Sequence, residues 1–366
     1  MKIVQVLPAL NSGGVERGTV EFARYLVDQG HQSMVISAGG SLASQLEQQG
    51  SRHIAFPVHK KNLFSLRHVI PLSKLLLNLE ADIIHVRSRL PAWLVWLAVG
   101  RKPRSQRPAL ISTFHGLYSK NRYSEIMACG DQVIAISQCV YDYIVDSYPR
   151  VDKQKVSIVH RGVDTGIFHS AVQANDEWKM AFFAQHTELA GKNIVLFPGR
   201  LTVWKGHKDF LTIMALLKND DKIVGLIAGH VDPQKEHYLA ELQRLADQLG
   251  INHKIRFIDA VPDVENVYAL SKVVCNFSLR PEPFGRTVIE ALACGIPVVA
   301  YDTGGPSESL RACFTEGLIK PSDYQQAADK IRALCQRSSS VQLSKLFTLD
   351  HQAQKTLDIY QRALND

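Results

Sequence analysis

A chain of 366 residues, 46% hydrophobic and 21% charged, is too long for one compact core and too ordinary in composition for a disordered, collagenous or coiled-coil protein. Its net charge is +7, yet the segment from Arg52 to Arg122 carries thirteen Lys and Arg against only Glu80 and Asp82, which leaves the remainder slightly acidic. Such a basic region implies an anionic partner, and without an aromatic-rich basic module that partner is not expected to be nucleic acid.

Apolar runs alternate with amphipathic stretches along almost the whole chain. "KIVQVL" predicts a first strand, followed by a helix over Val15–Gln29. "SMVISA", a short helix near Leu42–Gln49, and "HIAFPV" come next, then a helix around Leu66–Leu79 that Pro71 is expected to interrupt. "DIIHV", a helix through Trp93–Val99, "ALISTFH", "QVIAIS" and "VSIVH" complete a first half. The stretch Arg161–Trp178 is polar and turn-rich, and after it the alternation restarts. "NIVLFPG", "IVGLIAG", "KIRFID", "KVVCNFS" and "PVVAY" predict strands, with helices over Lys208–Lys218, His237–Leu249 and Val264–Ser271 and another beginning near Arg286.

Strands without polar alternation are buried on both faces, as in a parallel sheet. The predicted class is therefore α/β, with two Rossmann-like, doubly wound parallel-sheet domains. The boundary is expected at 168/169: residues 1–168, residues 169–348, and a last helix within 349–366 that packs back on the first domain.

The six cysteines form no C-x-x-C pair and no zinc spacing, as expected of reduced thiols. The start of the chain reads as a strand rather than a signal peptide, and "LPAWLVWLAVG" is too short to span a bilayer. A cytoplasmic protein is expected. "KKNLFSLRHVIPLSKLLLNL" mixes bases with apolar residues, as a segment lying on an anionic membrane surface would, so peripheral contact is expected there.

Chemistry concentrates at predicted strand ends. In "RPEPFGRTVIEALACGIPVVAY", Glu282 and Glu290 bracket a Pro-Phe-Gly turn and the start of a helix. The unpaired amides of that helix end attract an anion, and carboxylates on either side can accept hydrogen bonds from hydroxyls. A ligand with hydroxyls at both ends and negative charge between them fits, such as a sugar–diphosphate–ribose. A glycosidase carboxylate pair is the alternative reading of the two acids. In "PGRLTVWKGHKDF", Arg200 and Lys205 occupy a strand-to-helix crossing and suit diphosphate oxygens. In "LNSGGVERG", Gly13 and Gly14 allow close backbone approach but do not form G-x-G-x-x-G. His115 ends "STFH", where a neutral imidazole can donate to a hydroxyl. Arg87 and Arg89 in "HVRSRLPAW" are candidates for a phosphate on a second substrate. No metal-ligand spacing is present, so no metal cofactor is expected.

Together these stretches resemble the retaining family 4 glycosyltransferases of the bacterial-envelope, lipopolysaccharide type. "PEPFGRTVIEALACGIPVVAYDTGG" looks like their E-x7-E signature, "GRLTVWKG" their diphosphate segment, "SGGVE" their glycine loop and "RGVDTGIF" the segment before their domain crossover. The match runs from Gly13 to Gly305 in the family's order. It implies a GT-B fold, two Rossmann-like domains facing across a cleft, the donor held mainly by the second.

Carried over, Glu290 would bind the donor ribose and Glu282 the sugar hydroxyls. The backbone around Phe284, Gly285, Arg286 and Thr287 would place the sugar and distal phosphate. Arg200 and Lys205 would neutralise the leaving diphosphate, His115 would contact the transferred sugar, and Gly14 would admit the donor phosphates. The resemblance implies transfer with retention from a nucleotide-diphosphate sugar, which serves as co-substrate rather than cofactor. The basic residues of the first domain, Lys60, Lys61, Arg87 and Arg89 among them, point to an anionic glycan or lipid-linked acceptor such as lipopolysaccharide core. A nucleotide-sugar epimerase and a non-catalytic nucleotide-sugar-binding protein are the rival readings.

Overall fold

The computed structural model describes residues 1–11, 13–60, 63–230, 236–259, 261, 263–337, 339 and 341–365. Among these, the strands form two sheets, and every pairing within them is parallel. The first sheet holds β1 Lys2–Val6, β2 Gln32–Ser37, β3 Arg52–Ala55, β4 Ile83–Val86, β5 Ala109–Phe114, β6 Gln132–Ala135 and β7 Val156–Ile158, in the order β3-β2-β1-β4-β5-β6-β7. The second holds β8 Asn193–Pro198, β9 Ile223–Ala228, β10 Ile255–Ile258, β11 Ser271–Asn276, β12 Val298–Tyr301 and β13 Leu318–Ile319, in the order β10-β9-β8-β11-β12-β13. Helices cover both faces of such sheets, which is why β4, β5, β6, β9 and β12 are buried at every position.

Each sheet grows outward from its first strand in one direction and then reverses. The reversals lie at β1/β4 in the first sheet and β8/β11 in the second. At such a point the crossovers leave to opposite sides, and the loops beyond the strands' carboxyl ends separate to form a crevice.

The chain divides into two units, Met1–Gly162 with Leu349–Asp366, and Val163–Thr348. The crossing lies at 162/163 rather than at 168/169. The reason is local: the Val163 amide donates to the Phe347 carbonyl at 2.9 Å and Val163 bridges Thr348, while Phe168 packs edge-on against Tyr268. The closing helix Leu349–Asn365 buries Ala353, Leu357, Tyr360 and Ala363 in the first unit's core beside Ile3, Phe22 and Ile83.

Helices that were not expected from the sequence occupy Gln138–Ser147, Asp176–Gln185, Gly304–Cys313 and Tyr324–Gln336. Three carry N-cap signals in the sequence: Ser137 accepts from Val140, Asn175 from Glu177 and Asp323 from Gln326. Pro71 does not interrupt its helix. That helix runs Val69–Asn78, so Pro71 falls in the first turn, where a missing N–H costs nothing. Among the described residues no helix is long and apolar enough to cross a membrane.

Candidate active site

In the second unit the reversal point gathers the residues expected there. After β8 the chain reaches Lys205 and Gly206, and after β11 it reaches Glu282. Gly206 has φ +85°, and a Cβ there would lie 2.0 Å from the Phe277 carbonyl oxygen. Only glycine permits this left-handed turn against a neighbouring backbone. The Leu279 amide completes the contact by donating to the Trp204 carbonyl at 2.8 Å.

So held, the Lys205 ammonium donates to Glu282 Oε1 at 2.6 Å. Asn276 Nδ2 and Ser278 Oγ donate to Oε2 at 3.1 and 2.9 Å. Burial would raise the carboxyl's pKa. The Lys205 charge and these hydrogen bonds outweigh it and hold the group below its ordinary range, ionised.

The 280s loop lies directly on the start of the helix Gly304–Cys313. The Gly305 amide donates to the Glu282 carbonyl at 2.8 Å, and a Cβ on Gly304 would fall 2.6 Å from the Glu282 backbone nitrogen and oxygen. The helix Arg286–Ala293 then begins after Gly285, which has no side chain to cap its first amides. Glu290, one turn in, is buried. It accepts from Arg286 Nε at 2.8 Å and from the Tyr268 hydroxyl at 3.0 Å. Both bonds leave acceptor capacity on a carboxylate that can take about four.

Not every expected residue joins this cluster. Arg200 is exposed and, among the described residues, makes no side-chain hydrogen bond or ion pair. The Phe284 ring is buried against Phe347, with ring centroids 6.2 Å apart, so only its backbone is available to a ligand. The Arg286 guanidinium turns back on Glu290, and Thr287 is half-buried beside it. Asn276, Ser278 and Tyr268 were missed. The first two are polar residues at the end of an otherwise buried strand, a signal present in "CNFS"; Tyr268 has no local signal.

The first unit has its own cluster at β1/β4 and the adjoining β5. Gly13 has an ordinary extended backbone, φ −87°, and precedes the helix Gly14–Asp28. The shelf at Gly14 faces a guanidinium of the same chain. Arg161 Nη2 donates to the Gly14 carbonyl, and a Cβ on Gly18 would lie 2.9 Å from that nitrogen. Arg161 was not foreseen, because 147 residues separate it from the glycine it meets.

Arg87, directly after β4, is buried. Its Nη1 donates to Gln5 Oε1 at 2.6 Å, and its Nε has no partner among the described residues. Burial lowers its pKa to about 10, against the opposing pull of Tyr360, Glu21 and Glu16. His85 is fixed at both ring nitrogens, by the Tyr360 hydroxyl and Thr113 Oγ1, each at 2.6 Å. His115 follows β5, and both of its ring nitrogens are buried without a hydrogen-bond partner among the described residues. Burial, reinforced by Arg87, Arg161 and His85, pushes its pKa well down and keeps it neutral.

These groups line one cavity of about 10 Å³ as measured for the centre of a water-sized sphere, close to the least that holds one water. Arg89 does not share it. As first residue of the helix Arg89–Val95 it points elsewhere, donating to Ser119 and Ser124 and stacking 4.8 Å from the Tyr118 ring centroid. Lys60 is exposed, and Lys61 lies outside the described residues. Among the described residues no three His, Cys, Asp or Glu side chains gather as a metal would require.

Residues 179–345 match the family model of the Glycosyl transferases group 1, and residues 12–166 that of Glycosyltransferase Family 4. The chain belongs to the group 1 and family 4 glycosyltransferases. A crystal structure of a glycosyltransferase from Rickettsia africae superposes with a TM-score of 0.84 at 29% identity, covering 100% of this chain and 99% of that one. Anabaena Alr3699/HepE, solved in complex with UDP and glucose, gives 0.76 at 21% identity over 99% of each chain and shows the shared fold. The D-inositol 3-phosphate glycosyltransferase of Mycolicibacterium smegmatis is 29% identical over 228 residues, 60% of this glycosyltransferase and only 50% of the relative's own length. Both Rossmann-like units are thus those of the GT-B class.

Proposed function

We propose that this glycosyltransferase moves a sugar, with retention and without a metal ion, from a nucleotide-diphosphate sugar to an anionic glycan or lipid-linked acceptor such as lipopolysaccharide core. The observation that carries the reading is the Lys205–Glu282 pair, 2.6 Å apart, at the reversal point of the second sheet. An ammonium has three donors, and one suffices for Glu282. The others are free to meet phosphate oxygens, while Glu282 keeps one acceptor position for a sugar hydroxyl.

The chemistry then follows from charge. Breaking the bond from the anomeric carbon to the phosphate oxygen puts negative charge on the diphosphate. Lys205, Arg200 and the uncapped amides before Arg286–Ala293 stabilise that charge where it develops. The acceptor hydroxyl attacks the same face of the carbon and yields its proton to the departing phosphate oxygen. The products are a glycoside and a nucleotide diphosphate. Glu290 holds the ribose hydroxyls. In the first unit, His115, neutral and with no ring hydrogen-bond partner among the described residues, is the proposed contact for a sugar hydroxyl, and Arg87 for an anionic group of the acceptor. The retained anomer and the peripheral contact with an anionic bilayer belong to the same proposal.

Thermal-shift measurements with UDP-, GDP-, ADP- and CMP-sugars test it, UDP-glucose first because the Anabaena relative has been solved with it. One donor should stabilise the protein by about 2.7 kcal/mol at a hundredfold excess over Kd. Glu290→Ala should lose the shift, and NMR of the product should give the anomer of the donor. A native protein stabilised by none of the four would refute the reading.

A further inference from the structure

The protein itself holds the Lys205 ammonium with two groups. One is Glu282 Oε1, at 2.6 Å. The other is the indole of the preceding residue: the ammonium lies over the Trp204 ring, 4.6 Å from its centroid. The face of an indole carries negative charge density and attracts a cation within about 6 Å. Both residues belong to the 3-10 turn Val203–Lys205. Adjacent side chains leave a helical turn in different directions, so the long Lys205 chain has to fold back over its neighbour to make this contact.

Trp204 is anchored in turn. Its carbonyl accepts from the Leu279 amide at 2.8 Å, and the next glycine, Gly206, turns tightly against the Phe277 carbonyl. Between Phe277 and Leu279 lies Ser278, whose hydroxyl donates to Oε2 of Glu282. The backbone that carries the ring is thus tied to the backbone that steadies the carboxylate. Trp204 is half-buried and the Lys205 side chain is 14% exposed, so salt screens this contact less than one on an open surface.

A lysine side chain samples many rotamers, and a ligand that fixes one must offset the freedom lost. Glu282 alone would leave the ammonium free to turn about a single contact. The ring face adds a second one and so restricts where the remaining N–H groups point. It attracts the charge as a whole, which leaves those N–H groups for a ligand.

We propose that Trp204 is a positioning residue for Lys205, its ring face preorganising the ammonium for the phosphates of the donor. The inference rests on the proposed function, which assigns those phosphates to Lys205, and adds the residue that aims the cation.

Fluorinated tryptophans placed at position 204 of the full chain test it. Each added fluorine withdraws charge from the ring face while changing its shape little, so a packing role would leave binding constant and a cation–π role would not. The probe is whichever of the UDP-, GDP-, ADP- and CMP-sugars raises the melting temperature of the wild type, its affinity measured by calorimetry. Affinity should fall step by step as fluorines are added. Trp204→Leu, which keeps apolar bulk and the backbone carbonyl, should weaken binding between about five- and thirtyfold, and Trp204→Phe, which restores a ring face, should recover part of the loss.

A second measurement needs no nucleotide. In NMR spectra the Lys205 ε-methylene protons should be shifted upfield by the ring current, and Trp204→Leu should return them to the ordinary position. A flat fluorine series, wild-type affinity in Trp204→Leu, or an unshifted Lys205 signal would each overturn the proposal while leaving the donor reading intact. A wild type that responds to none of the four nucleotide sugars, yet shows the shifted Lys205 signal, would instead remove the donor reading and with it the purpose assigned to the ring.

Discussion

Removing Lys205 has a cost that can be worked out from its surroundings. The ammonium and the Glu282 carboxylate are 14 and 12% exposed at the side chain, and they touch at 2.6 Å. Lys205→Ala leaves Glu282 buried with only Asn276 and Ser278 as donors. Breaking a buried pair from one side costs about 3–5 kcal/mol, because the abandoned charge stays desolvated. The slight exposure of both partners favours the lower end, about 3 kcal/mol. For a unit of this size, that lowers the second unit's melting temperature by roughly 6–12 °C.

Glu282→Gln in the same background removes the stranded charge and should recover much of the loss. The pH dependence separates charge from packing. In the wild type the depressed pKa of Glu282 contributes stability that is present above the unfolded value of 4.5 and lost as pH falls through the folded one. In Lys205→Ala burial is no longer outweighed, so the pKa rises and the penalty is relieved as pH falls. The gap between wild type and variant should therefore narrow on acidification. Thermal unfolding followed by circular dichroism from pH 8 to 4 measures all of this. A Lys205→Ala protein within about 0.5 kcal/mol of wild type, or a double variant no better than the single one, would show that the pair does not carry the energy assigned to it.

Three further outcomes follow from the same geometry. His85, His115 and His207 are all held neutral by burial, His207 with its pKa lowered to about 4, so the unfolded chain binds more protons below pH 6.5. Stability should fall between pH 6.5 and 4, His207 alone contributing roughly 3 kcal/mol, and a flat melting temperature across that range would contradict the assignment. Gly304 has φ +64° and backbone atoms of Glu282 2.6 Å from where a Cβ would lie. Gly304→Ala should therefore cost at least about 2 kcal/mol in urea unfolding and weaken donor binding by moving the 280s loop. Tyr360→Phe removes the 2.6 Å bond to His85 and should destabilise the first unit by about 1–3 kcal/mol in the same assay while leaving the donor-dependent shift intact.

What the sequence disclosed and what it hid divide along a physical line. The strands were legible because a β-branched run buried on both faces looks the same wherever it occurs, as in "DIIHV" and "IVGLIAG". Lys205, Gly206 and Glu282 were legible because they lie in the short polar loops between a buried strand and the next helix, β8 for the first two and β11 for the third, and Gly206 takes a left-handed turn that favours glycine. Arg161 reaching Gly14, and Tyr360 reaching His85 across 275 residues, were not, since long-range side-chain contacts leave no local periodicity. The Phe284 ring was hidden for a related reason: a loop aromatic can face ligand or core, and Phe347, which decides it, is 63 positions away (347 minus 284). The helix Gly304–Cys313 went unforeseen because it opens with Gly-Gly-Pro, a breaker signature, whereas Tyr324–Gln336 carries an amphipathic spacing in the sequence, with Ala327, Ala328, Ile331, Leu334 and Cys335 buried, that was overlooked.

The closing helix Leu349–Asn365 seats Tyr360 and Leu357 in a core otherwise built from the first 162 residues. On the ribosome that seat stays empty until the whole intervening stretch has been made. The Val163–Thr348 unit is continuous in sequence and can be finished first, while the amino-terminal unit waits with Ile3, Phe22 and Ile83 incompletely covered. A nascent chain arrested just before Leu349 should thus be cut by protease in its older half and spared in its younger one, the reverse of simple vectorial order.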